Sequence, residues 1–168
     1  AIVRADGTAE IIRTSVATED GMRITLSESA TVRLIDNSKV FADVPDGHWA
    51  YGAIQFAASR ELFTGTGADS FSPAGSRSRA MLVTVLAGRD GQDAGGGATW
   101  YGRAMDWGVE NGVTDGTNPE AAITREQLAV MLCRYAGAEA PEESALHSFP
   151  DAGRVSDWAA GAMAWAVQ

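Results

Sequence analysis

Two arginines stand at equivalent places in this chain, each directly after a hydroxyl residue that can cap a helix. Ser78 precedes Arg79 and Thr124 precedes Arg125, and Thr124 with Gln127 has the spacing of a capping box. An arginine in the first turn opposes the positive end of the helix dipole, which costs about 0.3–1 kcal/mol. However, a guanidinium beside the free backbone N–H groups of a helix start makes a forked receptor for an anion. Both positions are therefore candidate anion sites.

A structural role for these arginines is the alternative. Each guanidinium could pair with an acidic residue such as Asp43, Asp106 or Asp151 and tie neighbouring segments of the chain together. The two roles can coexist in one side chain, so both remain open at this point.

The overall charge limits which anions the chain can bind. Its 168 residues carry a formal net charge of -9 and a single lysine, Lys39, so neither a nucleic-acid backbone nor an anionic membrane is expected as a partner over the whole surface. The hydrophobic share of 45% indicates a globular core. No run approaches the roughly 20 apolar residues that a membrane-spanning helix needs, so we expect no membrane insertion. Any bound anion must meet a local arginine site.

Few residues could bind a metal ion or form a disulfide. The chain has one cysteine, Cys133, and two histidines, His48 and His147. These are too few for a disulfide framework or for a zinc site of the usual four-ligand kind. Cys133 lies at an apolar helical position that is typical of a small core residue. We therefore expect no metal and no cofactor.

Residues 1–40 have the alternating pattern of β-strands. Alternation within residues 10–16, 22–26 and 31–35 predicts three strands of a meander, with residues 19–21 as the turn between the first two. A sheet this small is marginal by itself. We expect it either to pack on the residues that follow, as an appendage, or to be the tail of an upstream β domain.

Three of the five tryptophans begin segments that share one helical register. Each is followed by apolar or small residues at positions +4, +5, +7, +8 and +9, which form one broad helical face. These tryptophans are Trp49, Trp100 and Trp158. The large residues at +7 are expected to anchor the core, and they are Phe56, Trp107 and Trp165.

A second helix and a matching loop complete the repeat. Residues 78–86 align without a gap with residues 124–132, and the loop start at residues 62–65 corresponds to residues 113–116. The predicted fold is mainly α, built from helix-loop-helix repeats, with a small N-terminal antiparallel β meander. The expected divisions are a β region at 1–40, repeats at 41–89 and 90–138, and a linker with a partial third repeat at 139–168.

The motifs of these repeats occur in a fixed order. They are FADV at 41–44, an aromatic-led helix at 49–60, the loop LFTGTGADSFSP at 62–73, SRAMLVTVL at 78–86 and, in the second copy, ITREQLAVMLCRYA at 123–136. Together they resemble the S-layer homology module of bacterial cell-surface proteins. The resemblance covers residues 41–168, about three quarters of the chain.

The resemblance implies both a fold and a ligand. It implies a pseudo-threefold helical bundle, whose third repeat is incomplete here, with grooves between modules that bind a secondary cell-wall polysaccharide. In many relatives that polymer carries a pyruvate ketal, whose carboxylate is bound by an arginine. The matching residues are Arg79 and Arg125, and the third counterpart would lie beyond Gln168. The implied location is extracellular, in a bacterial cell wall or S-layer.

Saccharide recognition would add aromatic faces and glycine backbones to these arginines. The candidates are Trp49, Trp100, Trp158, Gly65 and Gly116. For the tryptophans, burial in the core is the alternative. For the glycines, the alternative is a turn that requires positive φ.

No catalytic motif stands out. Asp106 and Glu110 share a helical face but have no counterparts in the other repeats, so they are expected to be solvated charges. We expect a non-catalytic anchor that tethers a surface-layer or other exported protein. Two alternatives remain: the anchor fragment of a cell-surface enzyme, and a self-assembly module that forms homo-oligomers through the incomplete third repeat.

Overall fold

The computed structural model describes residues 1–139, 141 and 143–168; residues 140 and 142 of the predicted linker lie outside the described residues. The chain divides into two compact units, Ala1–Gly75 and Ser76–Gln168. This boundary falls within the predicted first repeat, between its glycine loop and its second helix.

The N-terminal part of unit 1 consists of very short antiparallel strands. Strands β1 (Ile2–Val3), β2 (Ala9–Glu10) and β5 (Thr31–Val32) form one sheet in the order β2-β1-β5. Strands β3 (Val16–Thr18) and β4 (Gly21–Arg23) form a separate hairpin. The turn that precedes Gly21 lies where the sequence predicts it.

The prediction of a single three-stranded meander is wrong. Most of residues 10–16 lie outside strands, and the pairing partner of residues 31–32 is β1, which the sequence did not predict. The strand residues are exposed or only half-buried, so no buried face forces the alternating side chains into longer pairings.

One helix, α1 (Tyr51–Ser59), organises the rest of unit 1. It buries Ile54 and Ala58, four residues apart, against Phe41 and Val44. Phe56, which was predicted to anchor the core, is 44% exposed. The reason is geometric, because a residue two positions after Ile54 points to the opposite side of the helix.

The loop after α1 is held by a carboxylate from the chain before the helix. Asp43 accepts hydrogen bonds from the backbone N–H groups of Phe71 and Ser72 at 2.9 and 2.7 Å, and from the hydroxyl of Ser70 at 3.0 Å. These bonds, those from the backbone first, lower the pKa of the Asp43 carboxyl. Gly65 sits in this loop with φ 84°, where an added Cβ would lie 2.6 Å from the carbonyl oxygen of Ser70.

Unit 2 is helical. Its helices are α2 (Arg79–Arg89), α3 (Gly102–Glu110), α4 (Arg125–Tyr135) and α5 (Ala160–Ala166). Its main core is formed by eight buried residues: Ala80, Val83, Leu86, Ala87, Ala104, Met105, Val113 and Met131. A smaller cluster of Leu146, Ala160 and Ala164 packs α5 against residues 143–148. Five helices and a small antiparallel β region are thus present among the described residues.

Both predicted helix starts in unit 2 are confirmed. The Ser78 hydroxyl accepts from the backbone N–H of Met81 at 3.2 Å, and the Thr124 hydroxyl accepts from that of Gln127 at 3.2 Å. The Gln127 side chain in turn accepts from the Thr124 backbone at 3.1 Å, which completes the capping box. The other two predicted anchors, Trp107 and Trp165, are only half-buried.

None of the helices in the described parts of the chain has the length and apolar character to span a membrane.

The contact between α2 and α3 depends on the absence of a side chain at Gly108. A Cβ there would lie 2.7 Å from Cγ1 of Val83 and 3.0 Å from Cγ2 of Thr114. We expect Gly108→Ala to lower the free energy of unfolding by about 1–3 kcal/mol, because a methyl group would overpack this core. Urea unfolding followed by circular dichroism would measure the change.

Gly102→Ala in the same helix is the matched control. Its nearest contact would be Oγ1 of Thr99 at 3.4 Å, an ordinary van der Waals distance. We expect this variant to unfold at nearly the same urea concentration as the parent. Equal stability of the two variants would contradict the tight α2–α3 contact.

Candidate functional site

A cleft of about 260 Å³ opens on unit 2 where four segments meet. The start of α2 supplies one residue, the loop after α3 supplies two, α4 supplies four, and the turn before α5 supplies one. The lining residues are Arg79, Thr114, Asp115, Gln127, Val130, Met131, Arg134 and Trp158. Two of the predicted site residues, Arg79 and Trp158, are thereby brought together.

Arg79 is fixed in the wall of this cleft. It is 8% exposed, and its Nη2 donates to a carboxylate oxygen of Asp115 at 2.5 Å and to the Thr114 hydroxyl at 3.2 Å. Nη1 donates to the Thr117 hydroxyl at 3.0 Å. Arg79 therefore has the predicted structural role, which leaves a ligand role beside it open.

The partner of Arg79 differs from the acids that the sequence suggested. Asp43, Asp106 and Asp151 were named as examples, but the carboxylate that pairs with it is Asp115, 36 residues away. The loop after α3 lies against the start of α2. Only the tertiary structure shows that these two segments are in contact.

Asp115 carries a full negative charge at neutral pH. Its pKa is lowered from 3.8 to about 2, first by the hydrogen bond from the backbone N–H of Thr117 and then by the Arg79 guanidinium and the Thr117 hydroxyl. The carboxylate therefore compensates the charge of Arg79. The Nε atom of Arg79 is nevertheless buried without a partner in the described residues, so this side chain keeps one unused donor.

Arg134 is the second cation of the cleft, and its surroundings are different. It lies in the last turn of α4, where a cation interacts favourably with the helix dipole. Its side chain is exposed and has no hydrogen-bond or ion-pair partner in the part of the chain that the structure describes. The uncompensated positive charge of the cleft therefore belongs to Arg134.

Trp158 gives the cleft an aromatic face. It is 60% exposed and lies in the short 3₁₀ helix Asp157–Ala159. The residue before this turn, Ser156, donates from its backbone N–H and its hydroxyl to the two carboxylate oxygens of Glu126, at 2.8 and 3.1 Å. Helix α4 thus positions Trp158 as well as supplying Arg134.

The three predicted tryptophans are exposed, which makes the core alternative wrong for each of them. The exposed fractions are 90% for Trp49, 50% for Trp100 and 60% for Trp158. All three lie in the turn that precedes a first helix. Trp100 packs edge-on against Tyr101, with ring centroids 5.1 Å apart, and does not line the cleft.

The remaining predicted residues lie outside this cleft. Arg125 is exposed in the first turn of α4 and has no partner among the described residues. Trp49 and Gly65 belong to unit 1. Gly116 follows Asp115 with φ 78°, and a Cβ there would lie 3.1 Å from Cγ2 of Val109. The turn alternative is therefore sufficient to explain both glycines.

Sequence reasoning missed Arg134, Gln127 and Asp115. The first two lie seven residues apart on α4, with Met131 between them, which is the spacing of one helical face. This spacing could have pointed to them. Asp115 lies in the second copy of the loop, and nothing in its neighbourhood in the sequence indicates a contact with Arg79.

The groups in the cleft suit non-covalent recognition of a polar ring. The free guanidinium can bind a carboxylate in a bidentate manner, the Gln127 amide can exchange hydrogen bonds with hydroxyls, and the indole offers an apolar face for stacking. Within the described residues, no group of three or more His, Cys, Asp or Glu side chains is placed to hold a metal ion.

Two comparisons identify related sequences. Residues 40–80 match the S-layer homology domain family. The chain is also 33% identical over 110 residues to an endoglucanase from Bacillus sp. (strain KSM-635). That alignment covers 58% of this chain and 12% of the endoglucanase, so the chain spans a small part of that relative. No solved structure matches significantly.

The matched residues include the Asp43 carboxylate, helix α1, the glycine loop and the start of α2. They contain the first-copy motifs of the resemblance, whereas the second-copy motif at 123–136 lies outside the match. S-layer homology domains are non-catalytic modules that bind cell walls at the cell surface. The family match is therefore confined to residues 40–80, and it agrees with the family that the sequence motifs resemble.

Proposed function

We propose that this chain is a non-catalytic anchor that binds an anionic secondary cell-wall polysaccharide through the cleft of unit 2. It would tether a surface-layer or other exported protein to the bacterial cell wall. One observation carries the proposal: the cleft combines the guanidinium of Arg134, which has no partner among the described residues, with the exposed indole of Trp158.

The charge balance of the chain makes this guanidinium important. With a formal net charge of -9, the surface as a whole repels polyanions. A local cation beside an aromatic face can still bind one acidic sugar of a chain, since the bidentate bond acts at short range. The arrangement therefore favours an acidic saccharide, such as a pyruvylated one, over a nucleic acid.

The contacts in the cleft indicate different roles for Arg79 and Arg134. The family resemblance implies that Arg79 binds the ligand carboxylate, yet Asp115 already compensates its charge. Arg134 is better placed to bind the carboxylate directly. Arg79 would hold the loop that forms the opposite wall, and its unused Nε could donate one hydrogen bond more.

The second candidate is the anchor of a cell-surface enzyme. The similarity to part of an endoglucanase favours it, because an S-layer homology domain can be joined to a catalytic domain in one chain. Both candidates use the same cleft and differ only in what is tethered. Self-assembly through the partial third repeat stays a prediction, which sizing in solution would test.

Removal of the free guanidinium tests the proposed site. We expect Arg134→Ala to weaken binding to purified cell walls about 10- to 100-fold, because a hydrogen-bonded charge contributes roughly 1.5–3 kcal/mol. We expect Trp158→Ala to weaken it several-fold through the loss of stacking. Co-sedimentation with walls before and after chemical stripping of the secondary polymer would measure both effects.

Arg154→Ala is the matched control, because Arg154 is an exposed arginine of the same unit that does not line the cleft. It should bind intact walls like the parent. If Arg134→Ala bound as well as Arg154→Ala, the cleft would not be the polymer site. Binding that survives stripping of the polymer would exclude that polymer as the ligand.

The contacts of the Asp115 carboxylate, with the Thr117 backbone N–H first and the Arg79 guanidinium next, should be visible in the pH dependence of stability. Because the pKa of Asp115 is about 2 in the folded chain and 3.8 without these contacts, its contribution is present above pH 4 and is lost as the pH falls towards 2. We expect Asp115→Asn to melt at a lower temperature than the parent at pH 7. The difference should shrink between pH 4 and pH 2.

Asp106→Asn is the control for this measurement, since Asp106 is an exposed acid on the neighbouring helix α3. Its melting temperature should follow that of the parent over the same range of pH. A difference between Asp115→Asn and the parent that stays constant down to pH 2 would contradict the stabilising role of the carboxylate.

A further inference from the structure

Unit 1 has a cleft of its own, with a volume of about 520 Å³. Its walls come from the β region, from α1 and from the glycine loop. The lining residues are Arg13, Ser38, Lys39, Val40, Phe41, Ala58, Glu61, Phe63, Thr64 and Ala68. Phe63 and Thr64 are the counterparts of Thr114 and Asp115, so the same part of the repeated loop borders both clefts.

Two cations line this cleft on a chain whose formal net charge is -9. Lys39 is the single lysine of the sequence, and Arg13 lies with it in the wall. Thr64 replaces the aspartate found at the corresponding place in unit 2. Glu61 is then the one acid among the described lining residues, so the formal charges of these side chains sum to a positive value.

The position of Lys39 is fixed by helix α1. The Gln55 side chain donates to the Lys39 carbonyl oxygen at 2.5 Å and accepts from the Lys39 backbone N–H at 3.3 Å. The ammonium group donates to the Asn37 side chain at 2.8 Å and has two further N–H groups for a ligand. These bonds hold the backbone of Lys39 in place, and the contact with Asn37 orients its ammonium group.

Glu61 stands where the backbone favours glycine. Its φ is 56°, and the corresponding residue after α3 is Gly112, with φ 68°. The two helix ends also share a hydrogen bond. The backbone N–H of Leu62 donates to the carbonyl oxygen of Ala57, just as that of Val113 donates to the carbonyl oxygen of Gly108. A side chain is strained in this left-handed conformation, whereas glycine is not. The strained residue lies in the wall of a cationic cleft, which suggests that its carboxylate is used there.

An aromatic ring completes the set of groups. Phe63 is half-buried and is supported by Phe71, with the two ring centroids 6.5 Å apart. The cleft therefore offers cations for a carboxylate, an acceptor for hydroxyl groups and a phenyl ring for an apolar sugar face. An acidic saccharide has all three complementary features.

We propose that this cleft is a second binding site for an acidic saccharide, with Arg13 and Lys39 as the cations and Glu61 as the hydroxyl acceptor. The proposal rests on the proposed function of the chain and adds a site to it. Arg13 and Lys39 come from the N-terminal β region, which would then take part in binding.

A titration followed by NMR can measure ligand binding at each of the two clefts separately, and it tests the proposal. The full chain, labelled with ¹⁵N, is titrated with a pyruvylated hexosamine disaccharide while the amide signals of Thr64 and Thr117 are followed. We expect both signals to shift, each with its own dissociation constant. In Arg13→Ala/Lys39→Ala, we expect at least tenfold weaker binding at Thr64 and unchanged binding at Thr117.

The matched control is Arg23→Ala/Arg33→Ala, which removes the same charge from exposed positions of unit 1 that lie outside this cleft. It should leave both dissociation constants unchanged. A weakening at Thr64 as large as that in Arg13→Ala/Lys39→Ala would show that overall charge is responsible, and would overturn the proposal.

Glu61→Gly separates binding from stability. We expect it to raise the melting temperature by about 2–4 °C, because the strained backbone is relieved. We also expect it to weaken binding at Thr64 several-fold, because the acceptor is lost. A more stable variant with unchanged affinity would overturn the role of Glu61.

The two proposals fail in different ways. A shift at Thr117 alone would overturn the unit 1 site and leave the proposed function intact. A shift at Thr64 alone would overturn the unit 2 cleft as the binding site while supporting the second site. The absence of both shifts would overturn both.

Discussion

The ion pair between Arg79 and Asp115 is the contact on which the unit 2 cleft depends. It joins the first turn of α2 to the loop after α3. The carboxylate offsets the unfavourable placement of a cation at a helix start, and the guanidinium in turn holds the loop in place. Because these two charges compensate each other, the electrostatic character of the cleft is decided by Arg134, which has no described partner.

The glycine loop of unit 1 is held by a different carboxylate from the one in unit 2. There the carboxylate comes from Asp43, ahead of the first helix, and it binds the backbone N–H groups of Phe71 and Ser72. Gly65 and Gly116 turn the chain with φ 84° and 78° in the two loops. Equivalent loops can thus be held by different acids, provided that the backbone turn is the same.

The proposed function depends on the side chains that line each cleft. The unit 2 cleft is lined by the Arg134 guanidinium and an indole. The unit 1 cleft is lined by two cations, a phenyl ring and the carboxylate of Glu61, whose backbone is strained. Each set suits an acidic sugar of a long polymer. Two moderate sites on one chain would retain a polymer better than one, since the second binding event takes place at a high effective concentration.

Features set by neighbouring residues could be predicted from the sequence. The caps at Ser78 and Thr124, and the turns at Gly65 and Gly116, depend on contacts within a few positions, and the structure shows them as expected. The motifs of the first copy also pointed to the family whose model matches residues 40–80. The tertiary structure alone decided that Arg79 pairs with Asp115 and that Arg134 and Trp158 line one cleft. Those outcomes depend on segments far apart in the sequence, whose approach is determined by how the helices pack and not by local spacing.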